Sequence, residues 1–104
     1  MAARLIVLYD QPEDPAAFDA HYRDVHAPIV RRYPSVRELR LIKTTWVGRT
    51  PGPYLMAEML FDSRSDLDAA LMSEAGVESG RDLRNFAGAG FSIVIADDDA
   101  TFDG

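Results

Sequence analysis

The sequence predicts an α+β fold of the ferredoxin-like, split βαβ kind, with a four-stranded antiparallel sheet and its helices on one face. Four short β-branched and aliphatic runs, at 4–9, 36–47, 54–61 and 91–96, supply the strands. Helical periodicity follows the first and third of them, giving the order β-α-β-β-α-β. The chain is 104 residues long, with 47% hydrophobic and 27% charged residues, so the expectation is a single domain over 1–104.

Arg4–Tyr9 is stopped by Asp10-Gln11-Pro12. Asp14-Pro15 has the form of an N-cap followed by proline at the first helical position. Phe18, Tyr22, Val25, Ile29 and Tyr33 then recur at steps of 4, 3, 4 and 4, one apolar stripe on an amphipathic helix that Pro34-Ser35 ends. Residues 36–47 alternate loosely, with Leu39 and Leu41 on one parity and Ile42 and Trp46 on the other. A Gly/Pro turn at 48–53 precedes the strand Tyr54–Phe61, and Ser63-Arg64-Ser65-Asp66 reads as a capping box. Gly76 and Gly80 are expected to interrupt the following helix. Ser79-Gly80-Arg81-Asp82 is a second possible box, opening a short helix before the last strand, Phe91–Ala96. Asp97, Asp98, Asp99 and Asp103 fall in 97–104, read as a flexible acidic tail.

Strands one, three and four are apolar on both parities, whereas an open sheet with one wet face alternates. The smaller parity set still includes Ile6, Leu8, Ile42, Trp46, Tyr54, Met56, Leu60 and Val94. Leaving such side chains wet forfeits roughly 1.5–3 kcal/mol each. A second copy of the same sheet is the simplest cover, so the sequence predicts a homodimer. A gap between sheet and helices would form an apolar pocket for a hydrophobic small molecule.

Asp and Glu outnumber Lys and Arg 17 to 11, and the net charge of −6 argues against nucleic acid and anionic lipid as partners. No apolar run approaches the ~20 residues that span a bilayer, so no membrane association and a cytoplasmic location are expected. With no cysteine, thiolate metal sites and cysteine nucleophiles are excluded.

The two histidines, His21 and His26, lie on the first helix. Five residues apart at 3.6 per turn, they point about 140° away from each other, so no shared metal site is expected. His26 borders the apolar stripe and precedes Ala27-Pro28, where the helix must kink or restart because proline lacks an N–H. It either satisfies the freed carbonyl or acts as a general acid/base. His21 reads as a surface residue. Asp82 is either the acid of the second capping box or a carboxylate that orients His26 or binds a substrate oxygen. Glu58 is expected to pair with Arg40 or Lys43. Trp46, Tyr54, Met56 and Phe86 are core, interface or substrate-binding residues, and Tyr22 is placed to orient a substrate.

Phe18-x-x-His21-Tyr22-x-x-x-His26-x-Pro28, Tyr54-x-x-Ala57-Glu58-x-x-Phe61-Asp62-Ser63 and Asp82-x-x-x-Phe86 resemble the EthD family, named for ethyl tert-butyl ether degradation. The resemblance runs over about residues 4–96. It implies a dimeric α+β barrel and places the family's histidine on His26 and its late acid on Asp82. Relatives of that family include accessory proteins, lactone isomerases, and dehydratases or decarboxylases of aromatic polyketides. The isomerases also lean on a cysteine that this chain lacks.

The leading expectation is a cofactor-independent lyase or isomerase, dehydratase- or cyclase-like, acting on a hydrophobic oxygenated or polyketide-type substrate. His26 and Asp82 would be its catalytic residues. The alternatives are a non-catalytic binding or accessory protein and a cofactor-free or haem-assisted monooxygenase.

Overall fold

The computed structural model describes residues 1–98. Strands β1 (Ala3–Tyr9), β2 (Glu38–Lys43), β3 (Leu55–Phe61) and β4 (Phe91–Asp97) form one antiparallel sheet in the order β2-β3-β1-β4. This is the predicted ferredoxin-like α+β arrangement. Ala3, Leu5, Val7 and Tyr9 of β1 and Leu55, Ala57, Met59 and Phe61 of β3 are buried, while the residues between them are only partly so. The buried parity is the one under the helices.

Helix α1 (Pro15–His21) starts as its sequence dictates, with Asp14 accepting from the Ala17 N–H at 3.1 Å and Pro15 at the first position. It passes without a break into a π-helical turn, Tyr22–His26, and then into α2 (Ala27–Val30). Pro28 accounts for this. Continuing as an α-helix would drive the proline ring against the Asp24 carbonyl; instead the Ala27 N–H bonds the Tyr22 carbonyl, five residues back. The predicted kink is thus a widened turn. It also shifts the apolar stripe: Tyr22, His26, Ile29 and Val30 are buried, whereas Val25, predicted within the stripe, is exposed.

Helix α3 (Arg64–Met72) carries the predicted cap, Ser63 Oγ accepting from the Asp66 N–H at 3.1 Å. The next break falls at Ser73, not at the glycines, because the Ser73 hydroxyl accepts from the Gly76 N–H and opens α4 (Glu74–Phe86). The second capping box therefore does not form. Ser79 lies inside α4, donates to the Gly76 carbonyl at 2.9 Å and bonds the Tyr33 hydroxyl. Gly76 is needed for close approach, since a Cβ there would collide with the Ala70 carbonyl oxygen, whereas a Cβ at Gly80 would meet nothing within 4 Å.

On the uncovered side of the sheet lie Ile6, Leu8, Ile42, Met56, Leu60 and Val94, around an Arg4–Glu58 ion pair of 3.5 Å. Glu58 thus pairs with Arg4, across β1, and not with Arg40 or Lys43; Arg40 sits 3.7 Å from Glu38. Two residues assigned to this face leave it. Tyr54 precedes β3, packs edge-on against Phe18 and donates to Asp19 at 2.9 Å. β2 ends at Lys43, well short of the predicted 47, so Trp46 belongs to the β2–β3 loop and is 43% exposed. The first two residues of the predicted acidic tail are held in place: Asp97 closes β4, and the Asp98 N–H bonds the Ala2 carbonyl while its carboxylate accepts from Arg4. The rest of 97–104, from 99 onward, lies outside the described residues. Among the described residues no helix is long and apolar enough to cross a membrane.

Replacing the two α4 glycines should have opposite effects. Gly80→Ala is expected to raise stability by up to about 1 kcal/mol through helix propensity, and Gly76→Ala to lower it by about 1–3 kcal/mol through overpacking; urea denaturation of both variants checks this.

Candidate functional site

The π-turn decides the site. In i→i+5 geometry residues five apart come onto one face, so His21 and His26, predicted to diverge, converge on the same partner. That partner is Asp82, in the second half of α4. His21 Nε2 lies 2.9 and 3.1 Å from its two carboxylate oxygens, and His26 Nδ1 lies 2.9 Å from Oδ2. Asn85 Nδ2 donates to Oδ1 at 3.0 Å from the next turn of the helix. His26 and Asp82 are only 4% and 6% exposed.

The ionisation states follow from these contacts. Burial works against the Asp82 carboxylate, but donors from Asn85, His21 and His26 outweigh it and hold the group below the usual carboxylate range. An ionised carboxylate only accepts, so each facing imidazole nitrogen carries hydrogen: Nδ1–H on His26 and Nε2–H on His21. Burial, partly offset by Asp82, lowers the pKa of His26 below 6.5. His26 is therefore neutral near pH 7, with its Nε2 lone pair unprotonated.

His26 lines a small cavity of about 80 Å³ between sheet and helices. Tyr9, Tyr22, Tyr33 and Ser79 contribute to its wall, and Leu71 and the 52%-exposed Ile93 mark its side toward β4. The Tyr22 hydroxyl is buried, makes no hydrogen bond of ordinary geometry and interacts with the Tyr9 hydroxyl. Burial, the largest cause, raises the pKa values of Tyr9 and Tyr22 well above the phenol range, so both remain protonated donors. His21 faces elsewhere, onto an open cleft of about 550 Å³ bounded by the segment before α1 and the end of α4. Phe86 separates the two spaces, stacked on His21 at 5.0 Å and tilted on His26 at 4.7 Å between ring centroids.

Of the residues singled out from sequence, the fold brings His26, Asp82, Tyr22 and Phe86 together. Trp46, Tyr54 and Met56 line neither space: Trp46 is on its loop, Tyr54 on Phe18 and Asp19, and Met56 on the uncovered sheet face. Sequence reasoning missed His21, Asn85, Tyr9, Tyr33 and Ser79. Pro28 was the available signal for His21, because a π-turn ahead of a helical proline aligns residues five apart. Asp82 is no cap.

The EthD domain model matches residues 10–90. The chain belongs to the EthD family. An EthD family protein of Bacillus halodurans, solved as a crystal structure, is 36% identical with a TM-score of 0.85, covering 94% of this chain and 99% of that one. An uncharacterized 11.0 kDa protein in the thcB-thcC intergenic region of Rhodococcus erythropolis is 34% identical over 97 residues, 92% of this chain and 94% of its own. The fold alone is shared with a hydroxynitrile lyase of Passiflora edulis, 14% identical with a TM-score of 0.74, covering 97% of this chain and 96% of that one.

In this EthD chain the His26 shift sets a stability limb in mild acid. The folded pKa lies below the unfolded value of 6.5, so on falling below about pH 6.5 the unfolded chain binds the extra proton and stability drops. Melting temperature should decline through this window in the wild type, and the His26→Gln variant should show a shallower decline between pH 6.5 and 5.

Proposed function

We propose that the cavity beneath the helices is an active site in which His26 Nε2 moves a proton on a small, largely apolar, oxygenated substrate, in lyase or isomerase chemistry that needs no cofactor. One observation carries this reading: Asp82 fixes the Nδ1–H tautomer of a buried imidazole, leaving its basic nitrogen on a side chain that lines a cavity together with Tyr22. A base beside an oxyanion donor is the pair that proton abstraction α to a carbonyl requires. In this scheme the substrate carbonyl takes the Tyr22 hydrogen bond and the α-proton passes to Nε2. The developing imidazolium is stabilised by Asp82 through Nδ1. The cavity holds only the reacting end, so the remainder of the substrate extends past Leu71 and Ile93.

The test is exchange of the α-protons of 2-hydroxyacetophenone in deuterium oxide, followed by proton NMR. Wild type is expected to accelerate exchange, and His26→Gln, with an unchanged circular dichroism spectrum, to reduce the protein-dependent rate by about 10²-fold or more. Equal rates for the two proteins overturn the proposal. Binding of the ketone without exchange favours the non-catalytic accessory reading.

The working unit in this proposal is a homodimer. Ile6, Leu8, Met56, Leu60 and Val94 share a face that no element among the described residues covers, and β4 is exposed along nearly its whole length. A facing second sheet removes that face, including the Val94 side of β4, from water. Light scattering should give twice the 11.5 kDa chain mass. Val94→Asp, which puts a charge on that face, is expected to shift the mass toward the monomer.

A further inference from the structure

One carboxylate serves two imidazoles that open onto different spaces. Asp82 receives His26 on Oδ2 from the cavity side, and on the cleft side His21 reaches both oxygens. The His21 side chain is 25% exposed and that of His26 5%, so the outer imidazole meets solvent while the inner one is buried. We infer that His21 is a positioning residue that sets how much of the Asp82 carboxylate is available to His26, and thereby couples the cleft to the inner cavity.

The two imidazoles compete for shared acceptors. An ionised carboxylate has about four lone-pair sites. His21 and Asn85 both approach Oδ1, and His21 also reaches Oδ2, the oxygen that His26 uses. Whatever His21 draws from the carboxylate is withdrawn from the stabilisation of a protonated His26. Protonation of His21 from the cleft strengthens its hold on Asp82 and places a positive charge near His26, both of which disfavour the second imidazolium. The two rings are therefore linked through the one carboxylate they share. Asn85 is not a substitute, because it reaches only Oδ1.

The other groups around the pair are identifiable. His26 is faced by Asp82 of α4, Tyr22 of its own turn, Tyr9 of β1 and Tyr33 beyond α2. His21 is faced by Asp82 and shares its cleft with Glu13 and Asp14. The tyrosines stay neutral across the range in which imidazoles titrate, and Glu13 and Asp14 line only the cleft that His21 faces. Asp82 is thus the charged group that both histidines contact.

The catalytic consequence rests on the function proposed above, but the coupling does not, and it can be read without any substrate. The measurement is an NMR titration of the His26 ring in wild type, His21→Phe and His21→Gln. Phenylalanine keeps a ring against Phe86 and removes the donor; glutamine keeps a donor that does not titrate. The expected result is an upward displacement of the His26 midpoint by about one pH unit in His21→Phe, with His21→Gln lying between that variant and wild type. A His26 midpoint identical in all three folded proteins overturns the inference. If the midpoint moves as expected while α-proton exchange is absent in wild type, the coupling stands and the catalytic reading falls. If exchange occurs in wild type and its pH profile is unchanged in His21→Phe, the catalytic reading stands and the positioning role falls.

Discussion

A single missing N–H organises this molecule. Pro28 cannot donate to the Asp24 carbonyl, and the chain answers by widening one helical turn so that the Ala27 N–H reaches the Tyr22 carbonyl. Everything at the site follows from that change of pitch. His21 and His26 fall on one side, Val25 rotates out to solvent, and the face presented to α4 becomes two imidazoles against one carboxylate. A regular α-helix with the same residues would leave Asp82 buried without one of its three donors. Each unmet buried polar group of that kind costs about 1–3 kcal/mol, which makes the π-turn and Asp82 mutually dependent.

The aromatic residues hold this polar centre in place. Tyr9, Phe18, Tyr22 and Phe86 contact one another with ring centroids 5.2 to 6.2 Å apart, mostly edge-on or tilted. Such contacts fix ring planes as well as fill space. Phe86 does both, lying against each histidine, so the imidazoles can rotate neither away from Asp82 nor toward each other. The result is a buried imidazole whose tautomer is chosen by its partner, in surroundings that raise the pKa of the phenols and lower that of His26 while Asp82 stays ionised.

The helices cover β1 and β3 well and β4 poorly. Phe91, Ile93 and Ile95 sit on the helix side of β4 by register with Tyr9, Val7 and Leu5, yet they are 40%, 52% and 37% exposed. The incomplete cover lies where Ile93 borders the cavity, so the same shortage of helix that leaves apolar surface for a partner also leaves the cavity its thin wall. A chain of this length cannot close both.

Much of the fold was legible in the sequence because it depends on local signals. Strand composition, the Asp14-Pro15 and Ser63 caps and the apolar stripe through Phe18 and Tyr22 all act within a few residues, and their order was enough for the sheet. His26 stood out for a similar reason, as an imidazole beside a helical proline. What the sequence could not decide is how that proline would be accommodated, since a kink, a restart and a widened turn are all local solutions of similar cost. Packing against α4 chose the widened turn, and only then did His21 turn inward, Asp82 cease to be a cap and Ser79 face Tyr33. The long-range hydrogen bonds of Asp82 span 61 and 56 residues. No periodicity within the chain encodes contacts at that separation, so the sequence by itself determined the fold and the basic residue, and the tertiary structure decided the partners that tune it.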